Sequence, residues 1–165
     1  MLIDRRYLDI TPGAVVLRTT DDAGALVRVI AGTVAGAAGP GVTHTPIAMV
    51  HATVAPGARL ELPWEPSYNA LVYALAGRGT VGEDGASIEE GQLAVLGEGG
   101  HVVATAAPRG DGRADALELL VLGGEPIREP VATYGPFVMN TRAELAQAFE
   151  DFQAGRLGQV PADER

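Results

Sequence analysis

The sequence contains no cysteine. Disulfides, thiolate metal sites and a cysteine nucleophile are therefore excluded. Histidine is scarce, with three in 165 residues, so a site built from several imidazoles has little to draw on. Aromatic residues make up 5% of the chain, against 47% hydrophobic residues in all. A core must be built mostly from Val, Leu, Ile and Ala. Basic residues are outnumbered: 12 Lys and Arg face 21 Asp and Glu, for a formal charge of −9. That balance opposes a phosphate-backbone surface and an anionic membrane surface. No apolar run reaches the length of a membrane span. The start, with Asp4-Arg5-Arg6, has no signal-peptide core behind it. The expectation is a cytoplasmic protein that binds no membrane and, by direct charge contact, no nucleic acid.

Glycine and proline are plentiful, at 22 and 11, and many stand at turn-like positions. Between them lie short stretches that read as strands: 14–18, 25–31, 46–54, 59–62, 69–75, 80–82, 86–88, 92–96, 101–106 and 116–122. In the second of these Arg28 falls on the solvent side. Thr11-Pro12-Gly13, Asp21-Asp22-Ala23-Gly24, Pro56-Gly57-Ala58, Asp84-Gly85 and Glu90-Gly91 signal turns, and 108–113 reads as a charged turn. Many short strands at this spacing predict a sandwich or barrel. No helical pattern separates them, which argues against a parallel βαβ sheet. Residues 32–41 are rich in small residues and read as a loop. No lysine and no helix follow, so they are not a phosphate cradle.

One helix is predicted, from about Arg142 to Ala154. Thr141-Arg142-Ala143-Glu144 is a capping box, with Thr141 or Asn140 as N-cap. Leu145, Ala148, Phe149 and Phe152 share one face, and Gly155 stops the helix. Residues 1–13 read as a polar leader in which Tyr7, Leu8 and Ile10 could pack. Residues 14–158 read as one domain, and 159–165 as a polar tail.

The chain is organised around residues 123–141. Pro126, Pro130 and Pro136 fix φ and remove backbone donors. Such a segment is not expected in a central strand. It is expected to wrap a β core and anchor to it through Ile127, Val131, Tyr134 and Phe137. On spacing alone it reads as a structured connection rather than a catalytic loop.

This stretch also carries a resemblance. Gly123-Gly124-Glu125-Pro126-Ile127-Arg128-Glu129-Pro130-Val131-Ala132, then Tyr134-Gly135-Pro136-Phe137-Val138-Met139-Asn140-Thr141, then Glu144, Gln147, Ala148, Asp151 and Gly155, resemble the C-terminal half of the pirin family. Arg28-Val29-Ile30-Ala31-Gly32, Pro56-Gly57-Ala58, Asn69-Ala70-Leu71-Val72-Tyr73 and Gly91-Gln92-Leu93-Ala94-Val95-Leu96 resemble the same half. The resemblance implies an all-β cupin jelly-roll β-barrel with one C-terminal α-helix. A pirin is two such barrels in tandem, and this chain resembles the second. The chain is then a piece of a longer pirin or a natural single-barrel relative.

The resemblance also implies an absence. In pirins the metal ligands, three His and one Glu, lie in the N-terminal barrel, together with the flavonol-cleaving dioxygenase activity and iron-dependent regulatory binding. A metal-binding cupin takes its ligands from two stretches. The first would fall on Trp64, Pro66, Tyr68, Asn69 and Ala70, and none is a histidine. The second would run from Gly91 to His101. There Gly97 stands where proline is expected, and His101 sits one residue short of the histidine position. A one-residue offset turns a strand side chain to the other face. His44 and His51, seven apart, would face opposite ways on one strand, and both read as exposed polar residues. No cofactor is expected in this chain; Fe(II) is expected only with the missing N-terminal barrel.

Three residues remain as pocket candidates: Tyr68, His101 and Glu118. Glu118 sits among apolar neighbours in 116–122. If that strand is buried on both faces it needs a partner, for which Arg59, Arg78 and Arg128 are available. A barrel shaped for a tandem neighbour should also leave apolar surface uncovered. The candidate interaction surface is Trp64, Tyr134, Phe137, Leu145, Phe149 and Phe152. The expected partner is a second copy, in a homodimer, or the missing N-terminal cupin domain. The function these readings favour is a structural or interaction module. The alternatives are a flavonol (quercetin) 2,3-dioxygenase of the pirin type and a metal-free cupin that binds a small organic molecule.

Overall fold

A computed structural model describes residues 11–20, 23–109 and 116–158. The packing of Tyr7, Leu8 and Ile10, the Asp21-Asp22 start of a turn, most of the turn at 108–113 and the 159–165 tail lie outside the described residues. Contacts divide the chain into two compact units, Met1–Pro126 and Ile127–Arg165.

The first unit holds β1 (Val16–Thr19), β2 (Ala25–Ala31), β3 (Thr33–Val34), β4 (Ala37–Ala38), β5 (Ile47–Val54), β6 (Arg59–Pro63), β7 (Asn69–Ala76), β8 (Arg78–Val81), β9 (Ala86–Glu89), β10 (Leu93–Leu96), β11 (His101–Ala106) and β12 (Leu117–Gly124). Six strands form one sheet in the order β1-β2-β5-β12-β7-β10, and four form another, β6-β11-β8-β9. From β5 to β12 the chain passes back and forth between the two sheets. Neighbouring strands pair antiparallel. This is the path of a jelly roll.

Period-2 patterning explains the layering. In β2 the odd residues Ala25, Val27, Val29 and Ala31 are buried and the even ones half-buried. In β5, Ala48, Val50, Ala52 and Val54 point inward; in β12, Leu117, Leu119 and Val121 do. With Leu60, Leu62, Val72, Val102 and Ala104 they make one core cluster between the sheets. Each fully buried Val or Leu side chain contributes about 1.5–3 kcal/mol relative to exposure. Among the described residues no polar or charged side chain is buried there.

Two expectations are corrected in this unit. Residues 32–41 are not a plain loop: β3 and β4 pair within them. Nor does the irregular stretch start at Gly123. Gly123 and Gly124 are the last residues of β12, in the middle of the six-stranded sheet, paired with Ala48 and Ile47 on one side and Ala70 and Asn69 on the other. Glycine is required at 123 because the neighbouring backbone comes so close. A Cβ there would lie 1.8 Å from the Asn69 carbonyl oxygen and 3.1 Å from the Trp64 ring.

The second unit is a hairpin and a helix. β13 (Ala132–Tyr134) pairs with β14 (Phe137–Met139) across Gly135-Pro136, and α1 spans Arg142–Gln153. Gly135 has φ +55°, a conformation glycine adopts without strain. Thr141 is the N-cap: its hydroxyl accepts from the Glu144 amide, and the Glu144 carboxylate accepts from the Thr141 amide at 2.8 Å. Asn140 instead donates to Glu129 Oε2 and to the Pro130 carbonyl, both at 2.9 Å, tying the helix start to the proline-rich segment. Phe149 stacks with Tyr134 at 5.2 Å and with Phe137 at 4.9 Å between ring centroids. Ile127, Val131 and Tyr134 are exposed. Phe137 is half-buried, held edge-on against Phe149 and Phe152 within this unit.

Candidate functional site

A cupin that binds a metal holds it in the barrel interior, on side chains that point inward from the strands. Strand alternation in β11 puts Val102 inside, 2% exposed, and His101 outside. His101 Nε2 lies 2.7 Å from Glu83 Oε1, and Arg59 approaches the same carboxylate at 3.4 Å. The hydrogen bond from His101, followed by that from Arg59, holds the Glu83 carboxyl below its ordinary range. His101 therefore lines an open cleft of about 440 Å³ between the β8–β9 turn and β10, with Glu83, Asp84 and Glu98. On the other cupin stretch Trp64 is buried in the core, and its Nε1 donates to the Asn69 carbonyl at 3.3 Å. Trp64 thus leaves the expected interaction surface. Tyr68 packs half-buried against the core. Among the described residues no three His, Asp or Glu side chains come together as a metal site. The described residues do not assemble the His-and-carboxylate set that would fit iron.

Tyr68, His101 and Glu118 are not brought together. β12 pairs Glu118 with Ala76 at one end and Gly124 with Asn69 at the other, so Glu118 and Tyr68 stand at opposite ends of the sheet.

Glu118 has different partners from those expected. Arg59 pairs with Glu61 and Glu83 instead. The outer face of the six-stranded sheet carries Glu118 on β12, His51 and Thr53 on β5, and Arg28 on β2. His51 Nε2 is 2.8 Å from Glu118 Oε2. Thr53 donates to the same oxygen at 3.0 Å. Arg28 Nη1 donates to Thr53 Oγ1 at 3.1 Å and lies 3.0 Å from His51 Nδ1. Arginine is a permanent donor, so Nδ1 is the acceptor and Nε2 carries the proton donated to Glu118. His51 is thus a half-buried link rather than an exposed polar residue. His44 is exposed.

Sequence reasoning missed this cluster. Its only sequence signals were Arg28 on the outward side of β2 and a lone carboxylate in an apolar strand. The pairing of β5 with β12 joins residues 65 positions apart, and nothing local announces it. Chemically the cluster is a closed relay of one cation and one anion around a neutral imidazole. Its one hydroxyl, Thr53 Oγ1, accepts from Arg28 and donates to Glu118, so it is engaged within the cluster.

Of the expected interaction residues in the second unit, Tyr134 and Phe152 are exposed, Phe137 and Phe149 half-buried and Leu145 buried. Val131, Tyr134, Arg142, Leu145 and Phe149 border a groove of about 640 Å³ between hairpin and helix.

An antiparallel jelly roll with an apolar interior and a single C-terminal helix defines a cupin. The chain belongs to the pirin family: the pirin C-terminal cupin domain matches residues 49–158. It is similar to a pirin-like protein of Arabidopsis thaliana, at 37% identity over 142 residues, which is 84% of this chain and 45% of that protein. It is similar to human pirin at 36% identity over 138 residues, covering 82% and 46%. A crystal structure of a quercetin 2,3-dioxygenase from Acinetobacter baumannii superposes with a TM-score of 0.82 at 32% identity, over 94% of this chain and 52% of that one. The chain spans about half the length of the curated relatives it matches. No described helix is long and apolar enough to cross a membrane.

Proposed function

We propose that this pirin-type barrel is a structural and interaction module with no metal site of its own, acting through a second cupin barrel. The observation that carries the reading is Val102. At the position where a cupin would present its last histidine, the barrel presents a buried valine, and His101 points away. Packed aliphatic side chains occupy the interior around it, which favours a scaffold over a barrel that holds an organic ligand. The partner is a second copy of the chain or the other cupin barrel of a longer pirin. We propose the cytoplasm as its compartment; a chain without cysteine needs no oxidising compartment to fold.

The alternative is the activity that names the Acinetobacter relative, oxidative cleavage of quercetin. It needs a redox metal with open coordination positions, and the described residues do not supply the ligands. Metal analysis of the purified chain without an affinity tag should find far less than one Fe, Mn, Ni or Zn per chain. Quercetin should not be consumed above a buffer control, even with added Fe(II). Stoichiometric metal, or turnover abolished by His101→Ala, would overturn the reading.

A further inference from the structure

The strands of the six-stranded sheet are apolar on both faces. A sheet with one face in water alternates apolar and polar residues; one covered on both faces does not. One rank across the outer face follows the strand registers: Leu17, Arg28, His51, Leu120, Tyr73 and Leu93. The neighbouring ranks add Leu26, Met49, Leu71 and Leu122, which are half-buried, and Val95, which is 74% exposed. Besides Thr19 on the edge strand and Asn69 at the end of β7, the polar residues of these ranks are the Arg28–His51–Thr53–Glu118 cluster. It is internally hydrogen-bonded and balances one positive with one negative charge, so covering it carries a smaller desolvation penalty than covering isolated charges.

The cluster also has unused capacity. Among the described residues no hydrogen bond reaches Glu118 Oε1, and none leaves Arg28 Nε or Nη2. Arg28, with its Nε and Nη2 donors to spare among the described residues, stands on β2, and Glu118, with Oε1 to spare, on β12, one strand to either side of β5. We propose that the outer face of this sheet is the docking surface for a second copy of the chain, related by a two-fold axis lying beneath β5. That operation turns β2 toward the partner's β12. Arg28 then stands one rank from the partner's Glu118, and its guanidinium, which already leans to the Thr53 rank, reaches that carboxylate. It also sets Leu17 on β1 toward the partner's Tyr73 on β7. The surface is self-complementary in charge, as an isologous interface requires. Five strands about 4.8 Å apart and five residues at about 3.3 Å each give roughly 400 Å² of flat face per copy. Before side-chain relief is added, this already comes close to the roughly 1,000 Å² total of a specific interface.

The inference rests on the reading of the chain as an interaction module and names its partner and face. The test is light scattering after size exclusion on the full chain, over a wide concentration range. The wild-type chain should dimerise. Leu17→Asp, at a 57% exposed edge position where folding is not at stake, should weaken the dimer at least about tenfold. Arg28→Glu and Glu118→Arg should each be monomeric, with thermal unfolding as the check that they fold. An equimolar mixture of the two should regain dimers, because only the mixed pair has opposite charges across the axis. Phe152→Asp in the second unit should leave the dimer intact. A dimer indifferent to Leu17→Asp and broken by Phe152→Asp would overturn this face while leaving the module reading standing. A strictly monomeric wild-type chain would overturn the second copy as partner. The module reading fails separately, through metal loading or quercetin turnover.

Discussion

His51 Nε2 lies 2.8 Å from Glu118 Oε2 across the seam between β5 and β12. The contact makes one polar island of residues from three strands. Glu118→Ala takes the acceptor from both His51 and Thr53. Partial exposure lets water replace some of these bonds, so the expected loss is about 1 kcal/mol. Glu118→Gln should recover part of it, since an amide carbonyl still accepts. Urea titrations of the three proteins measure this; an alanine variant as stable as the wild type would show that the network adds nothing.

Gly123 and Trp64 make a second coupled pair. A methyl group at 123 meets the Asn69 carbonyl at 1.8 Å, and β12 is too central to shift freely. Gly123→Ala should cost about 3 kcal/mol. Trp64 is the chain's single tryptophan and is buried, so its emission should be blue-shifted and move red on unfolding. A red-shifted native spectrum would contradict its place in the core.

The capping box predicts a pH dependence for α1. Hydrogen bonds from the Thr141 side chain, then from the Thr141 backbone, hold the Glu144 carboxyl below its ordinary value. A depressed folded value stabilises the folded state above the unfolded value of 4.5, and the contribution is lost as pH falls through the folded one. Glu144→Gln should therefore be less helical and less stable than the wild type at neutral pH. The difference should shrink under acid. Circular dichroism melts from neutral to acid pH follow it, and a gap that does not change with pH would count against the cap.

His101 sits on the outer cleft and touches only Glu83 among the described carboxylates. His101→Ala should leave the unfolding midpoint nearly unchanged, because exposed ion pairs contribute little. It should also raise the Glu83 carboxyl toward its ordinary value, since the first cause of the lowering is removed. NMR titration of the Glu83 side chain reads this directly. An unmoved titration would place the cause elsewhere.

Much of the architecture could be read from residues in order. β2 and β11 are delimited by short apolar stretches between turns, and α1 by Thr141, Glu144 and Gly155. These signals are local, so they survive without knowledge of the rest of the chain. The β3–β4 pairing was not legible, because small residues give no contrast between inward and outward positions. The end of β12 was misplaced because Gly123 and Gly124 look like a loop until Asn69 and Ile47 are seen pressing against them.

The sequence by itself determined the class of fold, the family likeness and the poverty of metal ligands, since each depends on residue identity or near-neighbour spacing. Tertiary structure decided which side chains meet. Residue types could not foretell that Glu118 would find His51 rather than an arginine, because the choice was made by a strand register linking positions far apart in the chain. Nor could they show Trp64 as core and the outer sheet face as apolar. Which face of a strand is inside depends on the sheet that packs against it, and that is a property of the whole barrel.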